Sequence, residues 1–405
     1  MTQHVYRVVS VVGLAQIVSY AAANYLPAVI ATPASNELGF SSTTIFAGFS
    51  LSLAIAGLCG PFMGKLVDRI GGRPVLILSN LIFASGFTLL GFSQNLLVLL
   101  TAYAIIGLGM AAGLFEVAFA SIVRIFGKNS RNAITGVSLL AGFASVAGWT
   151  LSVYVAQRYG WRGVCWFWAG MHVLVALPLN ALLPPPPAAP QLKNQELARA
   201  DSSESRHSTE LTSDEQGKQA NPKPGISTTL LLAFVFAASA FIGMGLMSHL
   251  PRLLENLGVP LAVAFTVGAL VGPAQIIGRI LDFLFLGRLH PLIGTRLAAL
   301  AHPISAVALL IIGAPFAAAA VVLHGLGNGI LIISRGTLPL ALFGAQGYGQ
   351  RQGWLMMPSR FAQAASPFVF GLALTAWGEN VLWLTCALGL SIFVALCLIP
   401  ATRKA

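Results

Sequence analysis

Charge is what this chain has least of. Of its 405 residues only 9% are Asp, Glu, Lys or Arg, and 12 are acidic, where a soluble domain carries about 25% charged residues. That shortage excludes a string of ordinary water-soluble domains. Cysteine is scarce too: Cys59, Cys165, Cys386 and Cys397 each sit inside an apolar run. This leaves no disulfide framework and no metal spacing, and small buried hydrophobes are the reading that remains. No nucleophile–base pair and no phosphate loop is visible, so an enzyme is not expected and neither is a cofactor. No small-residue cleavage site follows Met1–Arg7, so residues 5–29 are expected to stay as a membrane helix.

What is present is apolar: 56% hydrophobic residues and a mean hydropathy of +0.81. With about 20 apolar residues needed per crossing, the sequence predicts twelve spans, at 5–29, 45–63, 75–92, 96–122, 133–157, 163–183, 228–250, 261–282, 297–313, 316–341, 353–376 and 381–399. The 42 glycines and 22 prolines do not argue against them, because neighbouring helices satisfy freed backbone groups in a membrane. Residues 184–226 are polar, rich in Ser, Gln and Pro, and hold six of the twelve acids. They read as a disordered linker, with a short helix near 193–200. The chain is thus divided into 1–183, 184–226 and 227–405, with six spans on each side of the linker. Outside the linker, 18 basic residues stand against six acidic ones. In a soluble protein that excess would suggest nucleic acid; here it follows the positive-inside rule. With both termini cytoplasmic, the predicted outside loops hold only Arg158, Arg162 and Arg252.

The two sides repeat. Residues 64–69 read GKLVDR and 278–283 read GRILDF, each after a Gly-Pro, and GLG recurs at 107–109 and 325–327. Gly64-Lys65-Leu66-Val67-Asp68-Arg69-Ile70-Gly71-Gly72-Arg73 resembles the loop motif of the major facilitator superfamily, roughly G-x-L-x-D-R-x-G-R-[KR]. The motif lies between spans two and three, where that family carries it. With the span count, the linker and the weaker second copy, the resemblance covers the whole chain. It implies an all-α membrane protein: 12 transmembrane helices in two pseudo-symmetric six-helix bundles, working as a monomer in the cytoplasmic membrane. It also implies that Asp68 latches the two bundles together in the outward-facing state. Gly64, Asp68, Arg69, Arg73 and, in the second copy, Asp282 form the expected latch. Gln275 and Arg279 are assigned to that second motif.

Charges within spans are functional candidates by default, because each costs about 2.5–3.5 kcal/mol to insert at a helix centre. Glu116, Arg335 and Arg360 stand out. Glu116 plus 218 is 334, so Glu116 and Arg335 are expected to interact directly or through substrate, and Glu116 to carry a coupling proton. A structural pair near the helix end is the alternative. Arg360, eight residues into its span, is the candidate for snorkelling to the inner surface. His324, Asn328 and Arg335 share a face of span ten, and Gln16, Tyr20, Asn24 and Pro27 a face of span one. Such stripes line a polar cavity or serve interhelical hydrogen bonds. His172, His249 and His302 read as structural or interfacial.

Drug/proton antiporters of the family carry an arginine where this chain has Tyr103, and a GPxxGG-type run where it has Gly148-Trp149-Thr150. Gly160-Trp161-Arg162 recurs in bacterial members that handle small metabolites and anions. The resemblance therefore implies a secondary transporter for a small polar or anionic metabolite or vitamin-like compound, with the proton as coupling ion. The alternatives are a toxic-solute exporter (a drug, or a trivalent arsenical such as arsenite), an uncoupled uniporter, and a transporter-like sensor signalling through the linker.

Overall fold

A computed structural model describes residues 2–185, 225–287 and 289–400. The expected linker and its short helix fall, apart from the linker's ends, outside the described residues. Among the described residues every regular element is helical. Among these residues nine helical runs are long and apolar enough to cross a membrane. Two of them fold back on themselves. The run Leu96–Ala181 reverses at the 3-10 turn Gly127–Ser130 and again at Gly160, whose φ of 65° is open to glycine at little cost. The run Tyr348–Leu398 reverses at Gly378–Asn380. Unfolded in this way, the nine runs fit twelve crossings.

Helix starts are set by local chemistry. The Ser41 side chain accepts from the Thr44 amide and the Asn95 side chain from the Val98 amide, so spans two and four begin on capped amides. Several helices outrun their apolar cores. Span one continues through Pro27 and Pro33 to Leu38, because a π-turn at Ala21–Tyr25 absorbs the missing backbone donor. Span two runs from Ser42 to Ile70 and span three starts at Gly72. The stretch 64–74 between the predicted second and third spans is therefore almost wholly helical, and Gly71 (φ 89°) alone makes the reversal. Lys65, Asp68 and Arg69 ride on the last turns of span two.

The apolar side chains collect in three clusters. One lies among spans seven to twelve around Phe236, Leu253, Phe370 and Leu396. A second lies among spans one to six around Phe83, Phe87, Tyr103 and Trp168. The third surrounds Phe119, Ile122 and Ile134 and takes Leu340 and Tyr348 from the second bundle. It sits at the end of the molecule where the basic turns cluster, so the bundles are sealed to each other there.

Span two meets span eleven along a row of glycines. A Cβ on Gly353 would stand 2.5 Å from the Cα of Pro61, and one on Gly64 would collide with the carbonyl of Gly349. Gly353→Val is expected to cost about 1–3 kcal/mol of overpacking in the form closed at this end. Spin labels at Lys128→Cys and Gln346→Cys, exposed on opposite bundles, should then move apart; an unchanged separation would refute the wedge.

Candidate functional site

Span four is broken. Its first helix ends at Gly113, Leu114 is extended (ψ −169°), and a second helix starts at Phe115. The break does two things. It exposes the Gly113 carbonyl, which accepts a hydrogen bond from Gln16 Nε2 at 2.7 Å. It also places Glu116 in the first turn of a new helix, where the positive end of the dipole favours a carboxylate. Gln16, read from the sequence as a cavity residue, is 1% exposed and committed to closing this break.

Glu116 does not pair with Arg335. Its two oxygens accept from Arg360 Nη2 at 2.8 and 3.0 Å, joining span four of one bundle to span eleven of the other. Arg360 also holds Gln363 through Nη1 at 3.2 Å. It does not snorkel: it is 7% exposed, twelve residues into the helix that begins at Tyr348, or about 18 Å along its axis. Register arithmetic matched Glu116 to span ten, but the glycine seam decides the contact. Gly57 on span two lets the Arg360 Cβ approach closely, which carries the guanidinium to Glu116.

Arg335 remains beside the pair without joining it. Its Nε has no hydrogen-bond partner, and its backbone carbonyl accepts from Gln352. Tyr20 packs its ring on Phe115, with centroids 4.4 Å apart. It is an electrostatic neighbour of Glu116, Arg335 and Arg360 together. Asn24 lies in the π-turn of span one, and its buried Nδ2 is unpartnered. Asn328 faces span seven at Gly243. His324 leaves the group: its Nδ1 lies 3.0 Å from Nδ1 of His302 on span nine. Of the sequence candidates, Tyr20, Glu116, Arg335 and Arg360 come together, Asn24 and Asn328 lie on the neighbouring helix faces, and Gln16 and His324 serve other contacts.

One arginine of the second motif lies deeper than its counterpart Lys65, which is exposed. Arg279, assigned to the second loop motif, is buried at 4% exposure. Its Nη1 donates to the Ser138 carbonyl on span five at 2.5 Å, while its Nε is unpartnered. Tyr20, Tyr25 and Arg335 are its electrostatic neighbours. The signal was present: Arg279 falls inside the apolar stretch 261–282 and not beyond it.

At the basic end, Asp68 caps span eleven. Its Oδ1 accepts from the Gly349 amide at 3.0 Å and its Oδ2 from the Gln350 amide at 2.8 Å. Arg124 ties the backbone carbonyls of Asp68 and Arg69 to span four. The side chains of Arg69 and Arg73 are exposed. The second copy is built differently. Asp282 is buried and feels the charge of Arg131, but it is Arg131 that crosses between bundles, donating to the carbonyls of Leu286 (3.1 Å) and Leu289 (2.6 Å). At the opposite end the Trp161-Arg162 pair has a local use. Trp161 Nε1 and Arg162 Nε donate to Glu37 at 2.6 and 3.0 Å, and Arg162 also holds the Gly91 and Ser93 carbonyls. Every hydrogen bond between bundles among the described residues lies between the level of Ser50, whose Oγ donates to the Ala364 carbonyl, and the basic end.

Comparison with known proteins agrees with this architecture. The family model described as Major Facilitator Superfamily matches residues 12–320. Monocarboxylate transporter 3 of Rattus norvegicus is 31% identical over 152 residues, 37% of this chain and 30% of that protein. Multidrug resistance protein MdtH of Yersinia pestis (strain Pestoides F) is 26% identical over 143 residues, 35% of each chain. The chain spans about a third or less of the length of the first curated relatives it matches. Among solved structures, the human organic anion transporter MFSD10 (TETRAN) superposes with a TM-score of 0.71 at 16% identity, over 97% of this chain and 99% of that one. The proton:xylose symporter XylE bound to 6-bromo-6-deoxy-D-glucose does so with 0.73 at 13% identity, over 99% and 97%.

Proposed function

The chain belongs to the Major Facilitator Superfamily, and from that premise we propose that it is a secondary active transporter for a small polar or anionic organic solute, driven by protons through alternating access. The observation that carries this reading is the imbalance of charge at mid-membrane. Arg279 neighbours Arg335 and Arg335 neighbours Arg360 there, and among the described residues Glu116 is the one acid that acts on any of the three; Asp282, buried one turn beyond Arg279, acts on Arg131 instead. Two guanidinium groups are left without a carboxylate, in a place where an unpaired charge costs about 2.5–3.5 kcal/mol or more. An anion entering between the bundles offsets that cost. Similar proteins support the same reading, one a monocarboxylate transporter and one an organic anion transporter.

Glu116 supplies the coupling. While ionised it holds Arg360 across the bundle interface; a proton on Glu116 weakens that bond and frees the interface to move. The likeness to a proton symporter supports this role. We place the basic end in the cytoplasm of the cell's inner membrane, on the positive-inside rule. Both termini then face the cytoplasm, the 184–226 segment is a cytoplasmic linker between bundles of residues 1–183 and 227–405, and the form described here faces outward. Efflux of a toxic solute is the second reading, favoured by the similarity to a multidrug resistance protein. Proteoliposomes holding a pH-sensitive dye test both readings. Organic anions that move protons support the first. Proton movement with drugs or arsenite alone supports the second, and labelled solute crossing without protons refutes the coupling.

A further inference from the structure

We propose that the solute carries two negative charges, held one by Arg279 and one by Arg335, so that a dianion is preferred over a monoanion of the same size. This rests on the anion reading above and narrows it. The charge count comes first. Outside the segment 184–226 the acids are Glu37, Asp68, Glu116, Glu255, Asp282 and Glu379. Of these, Glu116 is spent on Arg360 with both oxygens, and Asp282, one turn beyond Arg279, is the electrostatic neighbour of Arg131. The Glu116–Arg360 pair is neutral as a unit. Arg279 and Arg335 stay as two separate positive charges, and each has an Nε without a partner.

Their positions match the count. Spans eight and ten run in the same direction and cross where Gly278 meets Leu326, Gly325 meets Ala274 and Gly329 meets the Gln275 carbonyl. Arg279 follows the crossing by about three residues and Arg335 by about eight, a difference in level of about 7 Å at 1.5 Å per residue. Two arginine side chains span that distance, and the two groups interact electrostatically. Both stand on one bundle and both neighbour Tyr20 on the other. A single carboxylate engages one guanidinium fork and leaves the second unmatched. Two carboxylates on a short chain, or the two charges of one phosphate monoester, match both.

The test uses full-length protein in detergent and follows its thermal midpoint with succinate, its near-isosteric monoanion succinamate, and methyl phosphate at neutral pH. Succinate or methyl phosphate should bind about tenfold or more tighter than succinamate, a difference of about 1.4 kcal/mol per tenfold. A winning succinate assigns the charges to two carboxylates, and a winning methyl phosphate to one phosphoryl group. In Arg335→Gln the preference should collapse to within about twofold, with the monoanion still bound; Arg335→Lys, which keeps the charge, should retain it and guards against misfolding. Equal binding of succinate and succinamate to the unaltered protein overturns the proposal but leaves an anion transporter standing. If no anion shifts the midpoint and an uncharged solute does, the anion reading falls as well.

Discussion

Glu116→Gln is expected to reduce solute-driven proton movement in proteoliposomes to the level of protein-free vesicles. Glutamine preserves the shape of the side chain and its place in the first turn of the helix from Phe115 to Phe126. It has no proton to exchange and no charge for Arg360, whose Nη2 now bridges both carboxylate oxygens. Removing one partner of a buried pair typically costs about 3–5 kcal/mol, because the other charge is left bare. The variant is therefore expected to fold with a lowered thermal midpoint. Glu116→Gln combined with Arg360→Gln separates the two effects. It should regain most of the lost stability, because no unpaired charge remains, and it should stay uncoupled. Solute-driven proton movement surviving in the single variant would falsify the role given to Glu116 and return it to a structural pair.

The sequence made the membrane architecture legible because insertion is governed by a one-dimensional quantity. Hydropathy summed over about 20 residues is enough to locate a crossing, and positive charge between crossings sets the ends. The Asp68 motif was legible because it combines an acid, a base and glycines within ten residues. Partner choice at mid-membrane was not. The register that equated Glu116 with span ten describes the relation between two bundles. The contact Glu116 makes is set by how closely two particular helices approach. Gly57, Gly64, Gly349 and Gly353 set that approach, and their effect is visible only when spans two and eleven are side by side. Gln16 was misread for a related reason. A polar residue on an amphipathic stripe can face a cavity or mend a broken helix, and the break at Leu114 leaves no mark in hydropathy. His324 shares a helical face with Arg335 by periodicity, yet its ring turns to His302, a partner 22 residues away on the preceding span.

Asp68→Asn is the second variant expected to act strongly, through the balance between the two access states. The carboxylate accepts two backbone amides at the start of span eleven, where the helix dipole adds roughly half a positive charge. Asparagine keeps one acceptor oxygen and turns an amide toward the second N–H. Losing a hydrogen bond to a charged group costs about 1.5–3 kcal/mol, and this loss falls only on the form closed at the basic end. The ratio of closed to open forms should drop by about tenfold to a hundredfold, at 1.4 kcal/mol per tenfold. Labels at Lys128→Cys and Gln346→Cys should report a larger separation, and solute uptake should slow because the outward-facing form becomes rare. Arg69→Gln is the control: its side chain is exposed, and its part in the end of span two is played by its carbonyl, which glutamine retains. Asp282→Asn should also shift the balance less than Asp68→Asn. In the second copy the crossing bonds among the described residues belong to Arg131, which grips the carbonyls of Leu286 and Leu289, and to Arg279, which donates to the Ser138 carbonyl, while Asp282 is the electrostatic neighbour of Arg131. Equal effects from the two aspartates would mean that the repeated motifs act alike despite their different contacts. An unchanged distance distribution in Asp68→Asn would mean that the glycine seam alone, without the latch, keeps the basic end closed.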